Sequence, residues 1–198
     1  MTSAPARRAQ IDRVTNETNI ALSLSLDGSG RTDVATGIGM LDHLLTALAR
    51  HARWDLTMQC KGDLHIDDHH TAEDCALALG QAIDRALGER RGIQRFGHAH
   101  APLDEALARA VVDVSSRPYA HVQLELERRS LGGLATENVA HVLRSIAIAA
   151  RITLHVDVLR GENDHHKAEC AYKATAVALR EAFARDGSAD VPSTKGVL

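Results

Sequence analysis

The sequence is poor in the features that mark nucleic-acid and membrane proteins. Aromatic residues make up 3% of the chain, so few side chains could stack on the bases of a single strand. The 23 lysines and arginines are scattered among 26 acidic residues, which leaves no basic stripe for a phosphate backbone. No run approaches the roughly 18 apolar residues of a membrane span, and no apolar signal segment follows the N-terminus. We therefore expect no nucleic-acid or membrane partner.

Cysteine is also scarce. The chain has three cysteines, Cys60, Cys75 and Cys170, and no C-x-x-C pair. An odd number at these spacings argues against a disulfide framework and a thiolate zinc site, and it is typical of a reducing compartment. With 198 residues, of which 44% are apolar, the chain can bury one core without cross-links. We predict a single domain over residues 1–198 and a cytoplasmic location.

Hydrophobic periodicity predicts the same order of elements twice. Apolar and polar residues alternate from Ile20 to Asp27, as in a half-buried strand, and leucines at helical spacing follow Met40. The predicted elements of the first half are strands 9–15 and 20–27, helix 40–53, strand 54–60 and helix 71–87. Those of the second half are strands 110–115 and 120–126, helix 137–150, strand 152–159 and helix 169–183. A Pro-containing connector near Ala101 and Pro102 is predicted between them.

The sequence therefore predicts an α+β fold of two similar halves, residues 9–92 and 109–185, each ordered strand, strand, helix, strand, helix. Residues repeat as well as elements: GDLHIDDHHTAEDCALALGQAIDRAL in the first half corresponds to GENDHHKAECAYKATAVALREA in the second. Such duplication implies sheets covered by helices around a pseudo-two-fold axis.

A His-His-x-x-Glu element occurs once in each repeat. Chance placement would give roughly 0.04 copies in a chain of this composition, so two copies at equivalent positions are not accidental. Each Glu shares a helix face with its histidines, whereas adjacent histidines diverge by about 100° and so suit two different ions. A further histidine precedes each element on the preceding helix. The predicted metal ligands are His43, His69, His70, Glu73, His141, His165, His166 and Glu169.

Eight ligands are enough for two divalent cations. Imidazole and carboxylate without thiolate suit Mn, Fe(II), Co or Zn, and Mn is favoured where carboxylates contribute and positions stay open for substrate. One such element alone would be read as a solvated helix start with a Glu placed favourably for the helix dipole. The duplication is what favours a metal site.

Several motifs in order, GIGMLDHLL, DDHHTAED, QRFG, DVSSRPYA, GENDHHKAECAYKA and PSTKGVL, resemble those of the imidazoleglycerol-phosphate dehydratase family of histidine biosynthesis. The resemblance covers nearly the whole chain. Departures are mild: Ser116 stands where the family's arginine motif more often has Gly, and Lys167 and Cys170 replace apolar or small residues. The resemblance implies a fold like the second domain of ribosomal protein S5. It also implies two Mn ions on the eight ligands above.

The resemblance further implies active sites between the subunits of a homo-oligomer of 24 chains. The implied reaction is loss of water from imidazoleglycerol phosphate to give imidazole-acetol phosphate. Its route would be an imidazolate bridged by two cations, which expels the hydroxyl to give a diazafulvene. Proton transfer is assigned to Glu17, with Glu169 as the competing candidate. Glu17 precedes His43 by nearly as many residues as Arg117 precedes His141, so the two are predicted to occupy equivalent positions in the two halves. Glu17 would act as the base and Arg117 as an anchor for the phosphate.

The phosphate anchors implied by the resemblance are Arg95, Arg117, Ser193 and Lys195, the last two on a C-terminal tail at residues 191–198. Without the resemblance, Lys195 would be read as a lysine of a disordered tail. Two other functions remain open at this point. One is a two-metal hydrolase, and the other is a structural or storage assembly that only binds metal.

Overall fold

The computed structural model describes residues 6–198, which form ten β-strands and four helices. The strands are β1 (Arg8–Val14), β2 (Thr18–Ser25), β3 (Thr32–Ala35), β4 (Asp55–Gly62), β5 (Phe96–Leu103), β6 (Ala106–Asp113), β7 (Tyr119–Gln123), β8 (Ser130–Leu131), β9 (Leu134–Ala135) and β10 (Thr153–Arg160). The helices are α1 (Gly39–Ala52), α2 (His69–Leu87), α3 (Thr136–Ala149) and α4 (Asp164–Ala182).

Two four-stranded sheets share one topology. The first has the order β1-β2-β4-β3 and the second β5-β6-β10-β7. In each sheet the first three strands are antiparallel and the last strand is parallel to its neighbour. The duplicated α+β fold is confirmed, and each half has one more strand than its periodicity predicts. The second half also carries a small hairpin, β8–β9, before α3.

The predicted connector near Ala101 and Pro102 is wrong, because both residues lie in β5. The strand alternates exposed His98 and His100 with the buried Ala99 and Ala101. Small apolar residues give a weak period-2 signal, and a proline argues against a strand by default. Here β5 is at the edge of its sheet and pairs only with β6, so Pro102 withholds no needed hydrogen bond.

The four helices form a layer between the two sheets. Helix α2 packs on β1 and β2, and α4 packs on β5 and β6. Across the halves, α1 packs against α4 and α2 against α3. Each helix pair thus joins one helix from each repeat. This exchange brings the single histidine of one half next to the His-His-x-x-Glu element of the other.

Gly80 of α2 lies in close contact with α3. A Cβ at this position would lie 2.6 Å from Ala149 Cβ and 2.7 Å from the carbonyl oxygen of Ile146. We expect Gly80→Val to lower the free energy of unfolding by about 1–3 kcal/mol, because overpacking forces the helices apart. Gly39→Ala is the control, since no atom lies within 4 Å of its added Cβ. Equal denaturant midpoints for the two variants would contradict this account.

Candidate metal centre

Capping interactions determine where the helix that carries each His-His pair begins. The side-chain oxygen of Asn163 accepts a hydrogen bond from the backbone N–H of His165 at 2.9 Å, in the N-cap position of α4. A carboxylate oxygen of Asp67 accepts from the N–H of His69 at 2.8 Å at the start of α2. Such caps satisfy backbone donors that have no partner within the helix. Both histidine pairs therefore stand on the first turn of a helix, with fixed directions.

Six of the eight predicted ligands converge into two groups. The α1–α4 set consists of His43, His165 and Glu169. The α2–α3 set consists of His69, Glu73 and His141. In each set one ligand atom per residue lies within 4.8 Å of the others. The helix pairs across the two halves therefore create two equivalent sets of imidazole and carboxylate donors.

In the α1–α4 set, Oε2 of Glu169 lies 3.2 Å from Nε2 of His43 and 3.2 Å from Nε2 of His165. Lys173 Nζ lies 2.7 Å from Oε1 of the same carboxylate. Burial raises the pKa of Glu169, but hydrogen bonds from Lys173 and His43 outweigh it and leave the pKa at about 2. The carboxylate is therefore ionised at neutral pH, as a metal ligand must be.

In the α2–α3 set, Nε2 of His141 lies 2.9 Å from Oε1 of Glu73. The rings of His69 and His141 are 5.2 Å apart, between centroids. Nδ1 of His69 lies 3.1 Å from the side-chain oxygen of Asn138. That acceptor favours the tautomer with hydrogen on Nδ1, which frees Nε2 to bind metal.

The spacing of the donors fits a cation in both sets. Ligands that share one ion at about 2.1 Å lie about 3 Å from each other. The measured nitrogen–oxygen distances are 2.9 Å in the α2–α3 set and 3.2 Å in the α1–α4 set. Imidazole with carboxylate is a donor combination for Mn, Fe, Co or Zn. The residues present therefore fit a divalent cation at each set.

His70 and His166 point away from both sets, as the predicted divergence of adjacent histidines requires. Each is held by a carboxylate: Nδ1 of His70 lies 2.9 Å from Asp63, and Nδ1 of His166 lies 2.8 Å from Glu105. The hydrogen bond from His166 lowers the pKa of Glu105 to about 2, and the pKa of each histidine is raised in turn, mainly by its carboxylate. A carboxylate on Nδ1 orients an imidazole whose Nε2 is a ligand.

Glu17 lies in the turn between β1 and β2, and its Oε1 is 3.6 Å from Nε2 of His70. The predicted equivalence of Glu17 and Arg117 is wrong. Glu17 precedes β2, whereas Arg117 follows β6, which is the counterpart of β2. Counting from the helix histidines was misleading because only the second half contains the β8–β9 hairpin. The true counterpart of this turn carries Glu105, so each half places a carboxylate beside its outward histidine.

Two of the predicted phosphate anchors, Arg95 and Arg117, lie together near the start of β5, and Arg95 contacts the tail that carries the other two. Asp113 lies between Arg95 and Arg117, at 2.8 Å from Nε of Arg95 and 3.6 Å from Nη2 of Arg117. Arg95 also donates to the carbonyl oxygen of Pro192 at 2.8 Å. The next residue is Ser193, whose hydroxyl oxygen accepts from the N–H of Lys195 at 3.2 Å. The two arginines and the start of the tail thus form one basic group.

Several neighbours of the ligands were not identified from the sequence. Lys173 lies four residues after Glu169, so the i, i+4 spacing on one helix could have revealed it. Asn138, Asp63 and Glu105 come from other elements, and only the tertiary fold shows that they contact the histidines. Paired sets of imidazole and carboxylate donors on a duplicated α+β scaffold, with a separate group of arginines, are typical of a metal-dependent enzyme with an anionic substrate.

Comparisons with known proteins identify the family. The family model of imidazoleglycerol-phosphate dehydratase matches residues 36–179. A dehydratase of this name from Phytophthora nicotianae is 62% identical over 192 residues, which cover 97% of this chain and 42% of that protein. One from Kluyveromyces lactis is 52% identical and is covered over 98% of both chains. The chain spans less than half of the first relative and nearly all of the second.

Solved structures agree. The dehydratase from Staphylococcus aureus has a TM-score of 0.81 at 34% identity, over 90% of this chain and 99% of that one. The dehydratase from Pyrococcus furiosus has a TM-score of 0.81 at 36% identity, over 95% and 100%. The chain belongs to the imidazoleglycerol-phosphate dehydratase family. It is a hydro-lyase of histidine biosynthesis, which decides against the two-metal hydrolase and the storage assembly. Across residues 6–198, no helix is long and apolar enough to cross a membrane.

Proposed function

We propose that the chain converts imidazoleglycerol phosphate to imidazole-acetol phosphate at a centre of two divalent cations, which are Mn in the native protein. The observation that supports this most directly is the pair of equivalent ligand sets with donor spacings of 2.9 and 3.2 Å. The α1–α4 set and the α2–α3 set would each hold one cation. When bound there, the cations would supply the positive charge that stabilises an imidazolate form of the substrate ring. That charge would favour loss of the hydroxyl from the adjacent carbon, by the diazafulvene-type route that the family resemblance implies.

Glu17 transfers the proton. Its side chain is 51% exposed and lies outside both ligand sets, so the carboxylate is free to reach the carbon chain of the substrate. Glu169 is the competing candidate, but it is only 15% exposed and is held by two histidines and Lys173. A residue engaged as a ligand is a poor proton carrier. We therefore assign acid–base catalysis to Glu17 and metal binding to Glu169.

Arg95, Arg117, Ser193 and Lys195 bind the substrate phosphate. In the structure Asp113 holds Arg95 and Arg117 close together, and Arg95 positions the tail through Pro192. The side chain of Arg117 is 66% exposed, so its guanidinium can turn toward a ligand. Forked arginine donors and a lysine point charge suit the oxygens of a phosphate.

The anchors and the metal ligands of one chain lie at opposite ends of the molecule. The N–H of Arg95 donates to the carbonyl oxygen of Ala182, at the C-terminus of α4, whereas His165 stands on its first turn. At the rise of an α-helix this 19-residue element separates them by about 25 Å. The three-carbon chain of the substrate cannot span that distance. One active site therefore combines residues from different subunits of a homo-oligomer, for which we propose 24 chains.

The outward histidines fit the same arrangement. His70 and His166 are oriented by carboxylates but belong to neither set of their own chain. Each would complete a ligand set of a neighbouring subunit, which would give every cation a fourth protein ligand. Metal binding would then hold subunits together. A reducing cytoplasm, consistent with three free cysteines, is the proposed location.

The first test compares chelator-stripped protein with and without added Mn. Formation of the enol of imidazole-acetol phosphate is followed by absorbance, and bound metal is counted by elemental analysis. We expect turnover only with metal and two Mn per chain, because neither set alone supplies charge to both ring nitrogens. Full turnover in the stripped protein would overturn the proposal, as would none in a metal-loaded assembly.

A further inference from the structure

We infer that the two ligand sets bind their cations unequally: the α2–α3 set binds first and more tightly, and Lys173 weakens the α1–α4 set. This inference rests on the proposed two-cation centre. The duplication makes the comparison direct, because His69 corresponds to His165, Glu73 to Glu169 and His141 to His43. With the ligands matched, any difference in affinity must come from the residues around them.

The carboxylates have different neighbours. Lys173 Nζ lies 2.7 Å from Glu169, and its counterpart four residues after Glu73 is Leu77. The side chains of Lys173 and Glu169 are 21% and 15% exposed, so water screens the pair only in part. If a cation displaces Lys173, the ion pair between Lys173 and Glu169 is lost. If Lys173 stays in place, the cation must bind beside a fixed positive charge. Both cases lower the affinity of the α1–α4 set.

The histidines also differ in support. Nδ1 of His69 has the side-chain oxygen of the buried Asn138 at 3.1 Å. The residue equivalent to Asn138 on α1 is Met40, which offers only a thioether, a weak acceptor. A hydrogen bond that orients a metal-binding imidazole commonly changes affinity by about 10- to 100-fold. Asn138 therefore favours the α2–α3 set, independently of Lys173.

Together these differences predict two classes of site in one chain. At limiting metal, the α2–α3 set fills while the α1–α4 set stays largely empty. We expect the dissociation constants to differ by about 10- to 100-fold. Because a ring bound at both nitrogens needs both cations, the weaker set would control activity when metal is scarce.

The test is a calorimetric titration of metal-free protein with Mn, which needs no turnover. We expect two classes of one ion per chain, with Glu73→Gln removing the tighter class and Glu169→Gln the weaker. Lys173→Met should tighten the weaker class about 10-fold and leave the other unchanged, since an adjacent like charge is removed. Leu77→Met is the matched control at the equivalent position and should change neither class.

The reciprocal variant keeps the inference testable if Lys173→Met fails to fold. Leu77→Lys places an ammonium beside Glu73 and should weaken the tighter class about 10-fold. Equal affinities in the wild-type protein would overturn the inference, and so would assignment of the tighter class to Glu169. These outcomes are distinct from failure of the proposed function, which would appear as two bound Mn ions without dehydration.

Discussion

Glu17→Gln is expected to lower kcat by about 10²- to 10⁴-fold, the usual effect of removing an acid–base group. Glutamine keeps the shape of the side chain and its place beside His70 but cannot exchange a proton. Because Glu17 lies outside both ligand sets, the variant should keep two Mn per chain and the assembly of the wild type. Steady-state kinetics measure kcat, and elemental analysis of the same preparation counts the bound Mn.

Two further variants sharpen this prediction. Asp12→Asn changes an exposed carboxylate on the same hairpin, on β1, and should retain wild-type turnover. Glu169→Gln should also lose activity, but together with the metal of the α1–α4 set. If Glu17→Gln turned over normally while Glu169→Gln kept both metals and was inactive, the proton would have to be moved by Glu169.

The metal ligands could be proposed from the sequence because their geometry is local. His-His-x-x-Glu determines the relative directions of three side chains within one helical turn, and its repetition shows that the pattern is selected. The helices had strong 3.6-residue periodicity and were predicted within a few residues of their bounds. The division of the ligands into two sets was not predictable, because it depends on α1 packing against α4 rather than against α2.

Errors arose where the sequence signal was weak or the repeats differ in length. The alternating small residues of β5 hid an edge strand, and Pro102 strengthened the wrong interpretation. The extra hairpin before α3 made Glu17 and Arg117 look equivalent, although they lie on opposite ends of equivalent strands. The predicted role of Lys195 could not be obtained from the local sequence, because it depends on where the C-terminal tail passes Arg95.

The separation of catalytic and anchoring residues predicts complementation between inactive chains. Arg7 donates to the carbonyl oxygen of Phe183, so the first strand starts near the C-terminus of α4 and close to Arg95. Glu17 is at the far end of that strand, about 20 Å away. Like His165, it is therefore too far from the anchors of its own chain to share a substrate with them. We therefore expect the Glu17 and the Arg117 of one active site to come from different chains.

We expect Arg117→Ala to lower kcat/KM about 10- to 100-fold, since charged hydrogen bonds to the phosphate are lost. Arg109→Ala, on the neighbouring β6, removes an exposed arginine paired with Asp157 and is the control.

Glu17→Gln and Arg117→Ala chains, dissociated with chelator, mixed equally and reassembled with Mn, should recover about a quarter of the wild-type kcat/KM. That fraction is the share of sites that draw an intact Glu17 and an intact Arg117 from different chains of a symmetric oligomer. If one chain supplied both residues, every site would keep one defect, and mixing would restore nothing.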